Sequence, residues 1–393
     1  MILIRRSCQS ALRGPNNVSR CSNASRRAFS ESCVRTRGAL PVFLEPSSPE
    51  LSALLSKFNS KILLPYHLTK EQEKLVFRHE NKAKLEAEPV EISLGDVTLP
   101  LEHINQMQLP NHWSHFKEII SKSKTKEDWE NLVRILEGFE NAGIPVKPRR
   151  QELVVRQLNR HGMQHLVLKA LQRPKATGLR LSDWGVLIQV VRGVHDKAAL
   201  ADWEKEETSK AFRMAKQVVD LMEDEEHCGG QTKGPEGAQK DWRGKPVVVA
   251  LPTELAAIMA ERHGGDVDKL KKLANRLINA LKQDNYMKEL DTTAKHATQT
   301  TADFGTVGKQ LIFVSRYCHD LFQLTIVWNA LKTSRKVLGA DMPMAEEAQQ
   351  FETRVEEVLM LGFEAVDKLK LREGQDLSPK FVEYIREGIE KCR

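Results

Sequence analysis

Residues 125–148 read TKEDWENLVRILEGFENAGIPVKP, and this stretch decides the fold class. Thr125 followed three residues later by Asp128 is a capping signal: the hydroxyl takes an orphan N–H of the first turn and the carboxylate reaches back to the cap. Trp129, Leu132, Val133, Leu136 and Phe139 then recur at spacings of three and four, which lays one apolar stripe along a helix. Asn141-Ala142-Gly143 ends it, because glycine enters the left-handed conformation of a helix stop without steric cost.

Working outward, nearly everything periodic is helical. Downstream, helices are predicted over 149–160, 163–172, 184–194 and 202–223, the last with Phe212, Ala215, Val219 and Met222 on one face. Helices over 252–263 and 266–282 form a hairpin across Gly264-Gly265, with Asp266 as N-cap. Longer ones cover 306–333, 344–369 and 379–391, the last capped by Ser378 with Pro379 in its first turn. Upstream, 48–60 has a helical pattern, and Thr69-x-x-Gln72 opens a charged helix to about residue 86. The exception is a β-hairpin at 89–101, where Val90, Ile92 and Leu94 alternate with polar residues, as do Val97, Leu99 and Leu101. Gly95 supplies the positive φ of a type II′ turn between them. The fold class is therefore mainly α, helical hairpins in a repeat or bundle, with one small β-hairpin packed on the helices.

The formal charge of +7 belongs to the N-terminus. Residues 1–29 hold Arg5, Arg6, Arg13, Arg20, Arg26 and Arg27 with no lysine and no acid; beyond them fifty-four bases face fifty-three acids. An Arg- and Ser-rich, acid-free start has the composition of a mitochondrial presequence. Arg27-Ala28-Phe29-Ser30 resembles the matrix-peptidase pattern, with cleavage before Ser30. The expected organisation is a presequence (1–29), N-terminal helices with the hairpin (30–110, of which 30–47 reads as linker), a helical-repeat domain (111–226), a flexible linker (227–245) and a C-terminal helical domain (246–393). The linker is marked by five glycines and Pro235. No membrane span is expected: the most apolar stretch, 311–331, has Arg316, His319 and Asp320 at its centre, where Arg or Asp costs about 2.5–3.5 kcal/mol to insert.

Gly143 and Gly178 lie 35 residues apart, each between one helix and the next, with a helix, Arg160-His161-Gly162 and a second helix between them. This unit resembles a pentatricopeptide repeat, and Gly143-Ile144-Pro145 with the residues up to Pro148 resembles the end of that family's motif. The resemblance covers about residues 126–226, with one full unit, and weakens after Val194, where 195–208 is long for an inter-helix turn. Other α-solenoids, which bind peptides, share the period. The resemblance implies RNA binding on a concave face lined by the first helix of each unit.

Local charge points the same way. Lys147, Arg149, Arg150, Arg156, Arg160, Lys169, Arg173, Lys175 and Arg180 give nine bases against the single acid Glu152, and Arg149, Arg156 and Arg160 fall close to one helical face. These nine are the candidate RNA-binding residues. The competing reading is a solvated face paired with the acids at 223–226. Trp184 and Trp203 offer stacking surfaces for bases, although their spacing suits a core better.

No catalytic, metal or cofactor signature accompanies this. His161 and His165 lack the glutamate of a zinc-protease helix, His112 and His115 lack a third ligand, and Cys8, Cys21, Cys33, Cys228, Cys318 and Cys392 include no CxxC pair. The leading reading is a matrix-imported, non-enzymatic helical-repeat protein of mitochondrial gene expression, binding mitochondrial RNA or the mitoribosome, with no cofactor. The alternatives are a scaffold for subunits of an inner-membrane respiratory complex and an enzyme whose site is built from scattered residues.

Overall fold

A computed structural model describes residues 38–88, 90–227, 242–283 and 286–369. The expected presequence with its cleavage point, most of the expected linker and the helix at 379–391 lie outside them. The N-terminal helices are α1 (Pro49–Lys57), α2 (Leu64–His67), α3 (Lys70–Phe77) and α4 (Lys82–Ala87), with a π-helical turn over Phe58–Leu63 between the first two. Strands β1 (Glu91–Leu94) and β2 (Val97–Pro100) pair antiparallel with Leu94 opposite Val97, and Gly95 has φ 66°, as the hairpin reading requires. Then come α5 (His112–Lys122), α6 (Lys126–Asn141), α7 (Pro148–Arg160), α8 (Gln164–Leu171), α9 (Pro174–Thr177), α10 (Trp184–Ala199) and α11 (Lys205–Leu221). The C-terminal half holds α12 (Pro246–His263), α13 (Val267–Gln283), α14 (Tyr286–His296), α15 (Val307–Leu338) and α16 (Ala345–Lys368).

The deciding stretch folds as read. Thr125 and Asp128 make the reciprocal capping box of α6, and Trp129, Leu132, Val133, Leu136 and Phe139 are all buried. Asp128 does more than cap. Its carboxylate also accepts from the Ser47 N–H (3.0 Å) and hydroxyl (2.6 Å), while Asn131 exchanges two hydrogen bonds with the Leu44 backbone. Residues 38–47, part of the stretch that reads as linker, are thus a strap laid along α6, because side chains of that helix supply the partners its backbone lacks.

Gly143 and Gly178 both take positive φ, 66° and 67°, at helix ends, with Gly162 at 74° between them. The unit from α7 to α9 is a helical hairpin as its spacing predicts. The turn after it is shorter than expected: α10 runs on to Ala199 and α11 starts at Lys205, with Asp202 and Trp203 at φ 50° and 60° making the reversal. Trp203 is buried in the core. Helix α7 packs along α10 and α6 along α9. The approach of α7 to α10 is close, since a Cβ on Gly193 would lie 2.4 Å from the Asn159 amide, which donates to the Gln189 carbonyl at 2.6 Å.

Other differences have local causes. Pro252 reads as a helix start, but Pro246 takes that role and Pro252 sits inside α12, a helix buried from Pro246 to Ile258 whose packing outweighs one missing N–H. The charged helix predicted to residue 86 breaks at Arg78, whose backbone is extended, and resumes as α4. Helix α14 carries little apolar signal in the sequence, because only Tyr286 and Leu290 of it are buried.

Helices α10, α11, α12, α13 and α15 share one core, which contains a polar chain. His195 on α10 meets Glu254 on α12 at 2.9 Å; Asn329 on α15 donates to the other Glu254 oxygen at 2.6 Å, and Thr333 donates to Asn329 at 3.1 Å. The ends of 228–241 are fixed as well. His227 is buried, accepting from Leu181 N–H at 3.1 Å and donating to the Leu171 carbonyl at 2.7 Å. Trp242 donates to the Ser182 carbonyl at 3.0 Å and packs on Trp184. Among the described residues no helix is long and apolar enough to cross a membrane.

Candidate RNA-binding face

The nine candidate bases do not share one surroundings. Lys169 lies 2.9 Å from Glu130, Arg173 2.6 Å from Glu137, and Lys175 and Arg180 reach the same carboxylate, Glu226, at 3.2 and 4.0 Å. The acidic run therefore does take part of the patch, in line with the competing reading. Arg150 turns the other way, its guanidinium 4.9 Å over the Trp113 ring on α5. These five bases tie α8, α9 and the start of α7 to their neighbours, and pairs this exposed contribute little stability each.

Lys147, Arg149, Arg156 and Arg160 remain. Lys147 is the N-cap residue of α7 and makes no side-chain cap bond; it, Arg149 and Arg160 are exposed or half-exposed. No ion pair with an acid engages any of the four among the described residues. Arg156 is half-buried, within the influence of Arg192 on α10, and its Nε–H has no acceptor. Burial, and then the charge of Arg160, hold its guanidinium below the usual arginine range, against the pull of Glu152.

Two residues outside the predicted patch join this cluster. Arg192 on α10 lies 5.1 Å over the Phe322 ring and 3.4 Å from Asp196. His319 on α15 is pushed down to about 4 by burial and by the charges of Arg192 and Arg156, so it is neutral at ordinary pH. Arg192 sits in a largely apolar helix, outside the run of bases at 147–180, and His319 lies more than a hundred residues away, so only the tertiary fold brings them to α7.

Among known families, the model described as mitochondrial ribosomal protein mS27 matches residues 27–383, nearly the whole chain. The chain belongs to the mS27 family. A curated relative, small ribosomal subunit protein mS27 of Neurospora crassa, is 25% identical over 382 residues, covering 92% of each chain.

Membership in the mS27 family makes this a component of the mitochondrial ribosome, working in translation in the matrix as a structural, non-enzymatic protein. Of the three readings of the sequence, it selects the mitoribosome over the respiratory-complex scaffold and the enzyme. The histidines and cysteine weighed as chemistry have structural places. His115 bonds the Leu54 carbonyl at 2.9 Å, His161 stacks on Trp129 at 4.1 Å, and Cys318 is a core thiol that burial pushes up to about 11.

Proposed function

We propose that this mS27-family chain contacts RNA of the mitochondrial ribosome through α7, with Arg149, Arg156 and Arg160 on phosphates and α7 to α9 serving as a degenerate pentatricopeptide unit. The observation that carries the reading is Arg156. A guanidinium that is half-buried, flanked by other bases and left with an unsatisfied donor costs stability in the free protein, and an anion docked against the group would offset its charge and that of its neighbours. Arg149 and Arg160 extend the same face by two and one turns, a spacing at which a backbone running along the helix meets successive charges. Phosphate binding of this kind positions an RNA without reading its bases.

The test is the triple variant Arg149→Gln, Arg156→Gln, Arg160→Gln. Each single-strand phosphate that no longer meets a base lowers the slope of log affinity against log salt by about 0.7. A folded triple variant that keeps both affinity and slope would move the RNA interface off α7. Crosslinking in intact organelles, with both RNA and protein recovered, gives the matching result in the ribosome: RNA crosslinks on 149–160 support the reading, and protein crosslinks alone count against it.

A further inference from the structure

A second group of bases without acid partners lies between α11 and α13, far along the chain from α7. Phe212 on α11 carries two ammonium groups against its ring, Lys216 Nζ at 4.5 Å and Lys269 Nζ at 4.8 Å from the centroid. Aromatic faces attract cations, but two ammonium groups at one ring repel each other. Lys216 is the main reason, ahead of burial, that the Lys269 ammonium sits below the usual lysine range; Asp266, the N-cap of α13, acts in the opposite sense.

Arg213 precedes Lys216 by three residues on α11, and Lys272 and Arg276 follow Lys269 by three and seven on α13, so each set lies on one face. None of these five bases has an ion-pair partner among the described residues, although α13 does pair Lys271 with Asp341 and Lys282 with Glu347. Besides Asp266, the acids near the group are Asp220 and Glu223, and Glu223 is engaged by Arg243 at 2.7 Å.

Between the two helices, over α12, is a cavity of about 190 Å³. Val219, Val248, Pro252 and Leu273 form its apolar walls, and Lys216, Lys269 and Arg276 stand at its rim. We propose that this is a second RNA-binding surface, in which one unstacked base of a single strand enters the cavity while the flanking phosphates meet Lys216, Lys269 and Arg276. The rim supplies charge complementarity to a polyanion. The cavity chooses among polyanions, because a duplex keeps its bases stacked and a run of acidic residues alone brings no flat group, whereas a single strand carries one at every phosphate. The surface shares no residue with α7 and stands or falls separately from it.

The experiment uses the full chain and a labelled short uridine oligonucleotide, with an abasic strand of the same length as control. The variant Lys216→Gln, Lys269→Gln, Arg276→Gln should lower the salt slope by about 2, at about 0.7 for each phosphate set free. Val219→Phe, which adds a ring to one wall and so fills the cavity, should weaken the uridine strand several-fold while leaving the slope and the abasic strand unchanged. The α7 triple variant should retain that sensitivity to Val219→Phe. An unchanged slope in the charge variant, equal binding of the uridine and abasic strands by the wild type, or capture of polyglutamate in place of the oligonucleotide would each overturn the proposal. Unfolding curves that match wild type exclude loss of fold as the cause.

Discussion

His195 Nδ1 lies 2.9 Å from Glu254 Oε2 in the centre of the helical core, and neither side chain meets solvent. Burial alone disfavours the imidazolium, but the charge and hydrogen bond of Glu254, with Asp196 behind them, outweigh it and hold His195 above the ordinary histidine range. A raised folded value means that the stability this pair supplies is complete below the unfolded pKa of about 6.5 and is lost as pH rises through the folded one. Urea unfolding of wild type and Glu254→Gln across that window should show a gap that narrows with rising pH. Glu254→Ala, which leaves the His195 ring and the Asn329 amide N–H buried without their carboxylate acceptor, should cost about 3–5 kcal/mol.

His227 behaves in the opposite sense. Its Nδ1 accepts from Leu181 N–H, so only the neutral ring fits, and burial holds it below the ordinary range despite the Leu171 carbonyl. Its contribution is present above about pH 6.5 and lost as pH falls through the depressed folded value. His227→Phe should remove that acid-side loss and, by leaving Leu181 N–H and Leu171 C=O unpaired, cost about 2 kcal/mol at neutral pH. Denaturant titrations on both sides of that pH check the two effects together.

Arg156 should show a conflict between stability and function. Arg156→Met keeps an unbranched aliphatic stem and removes an unpaired guanidinium, so the free protein should gain about 0.5–1 kcal/mol in urea unfolding while RNA affinity falls. A variant that loses stability as well would mean that Arg156 is a structural group.

Gly193→Ala tests the approach of α7 to α10. Alanine in a helix interior ordinarily gains up to about 1 kcal/mol over glycine. Here its Cβ would lie 2.4 Å from the Asn159 amide, so the sign should reverse to a loss of about 1–3 kcal/mol. Adding Asn159→Ala should recover part of that loss.

What can be read from the sequence is what short-range chemistry dictates. Thr125 and Asp128, Gly95 in its hairpin, and the Gly143 and Gly178 stops all act within a few residues of themselves, and all stand where their neighbours in the sequence put them. The strap at 38–47 is invisible at that range, because Ser47 and Leu44 find their partners on Asp128 and Asn131 more than eighty residues away. The basic patch is legible as composition and not as a face. Which arginines stay unpaired depends on where Glu130, Glu137 and Glu226 come to lie, and Lys216 and Lys269 meet at Phe212 only because α11 and α13 are brought together.

Leu181 and Ser182 are consecutive, and they hold His227 and Trp242 respectively. The chain departs from and returns to the same place, so the fold on either side is indifferent to what joins the two points. Closing a connection between ends already held together becomes costlier only with the logarithm of its length. A tag inserted between His227 and Trp242 should therefore cost the fold little, because its two flanking anchors are held by adjacent residues of the same body.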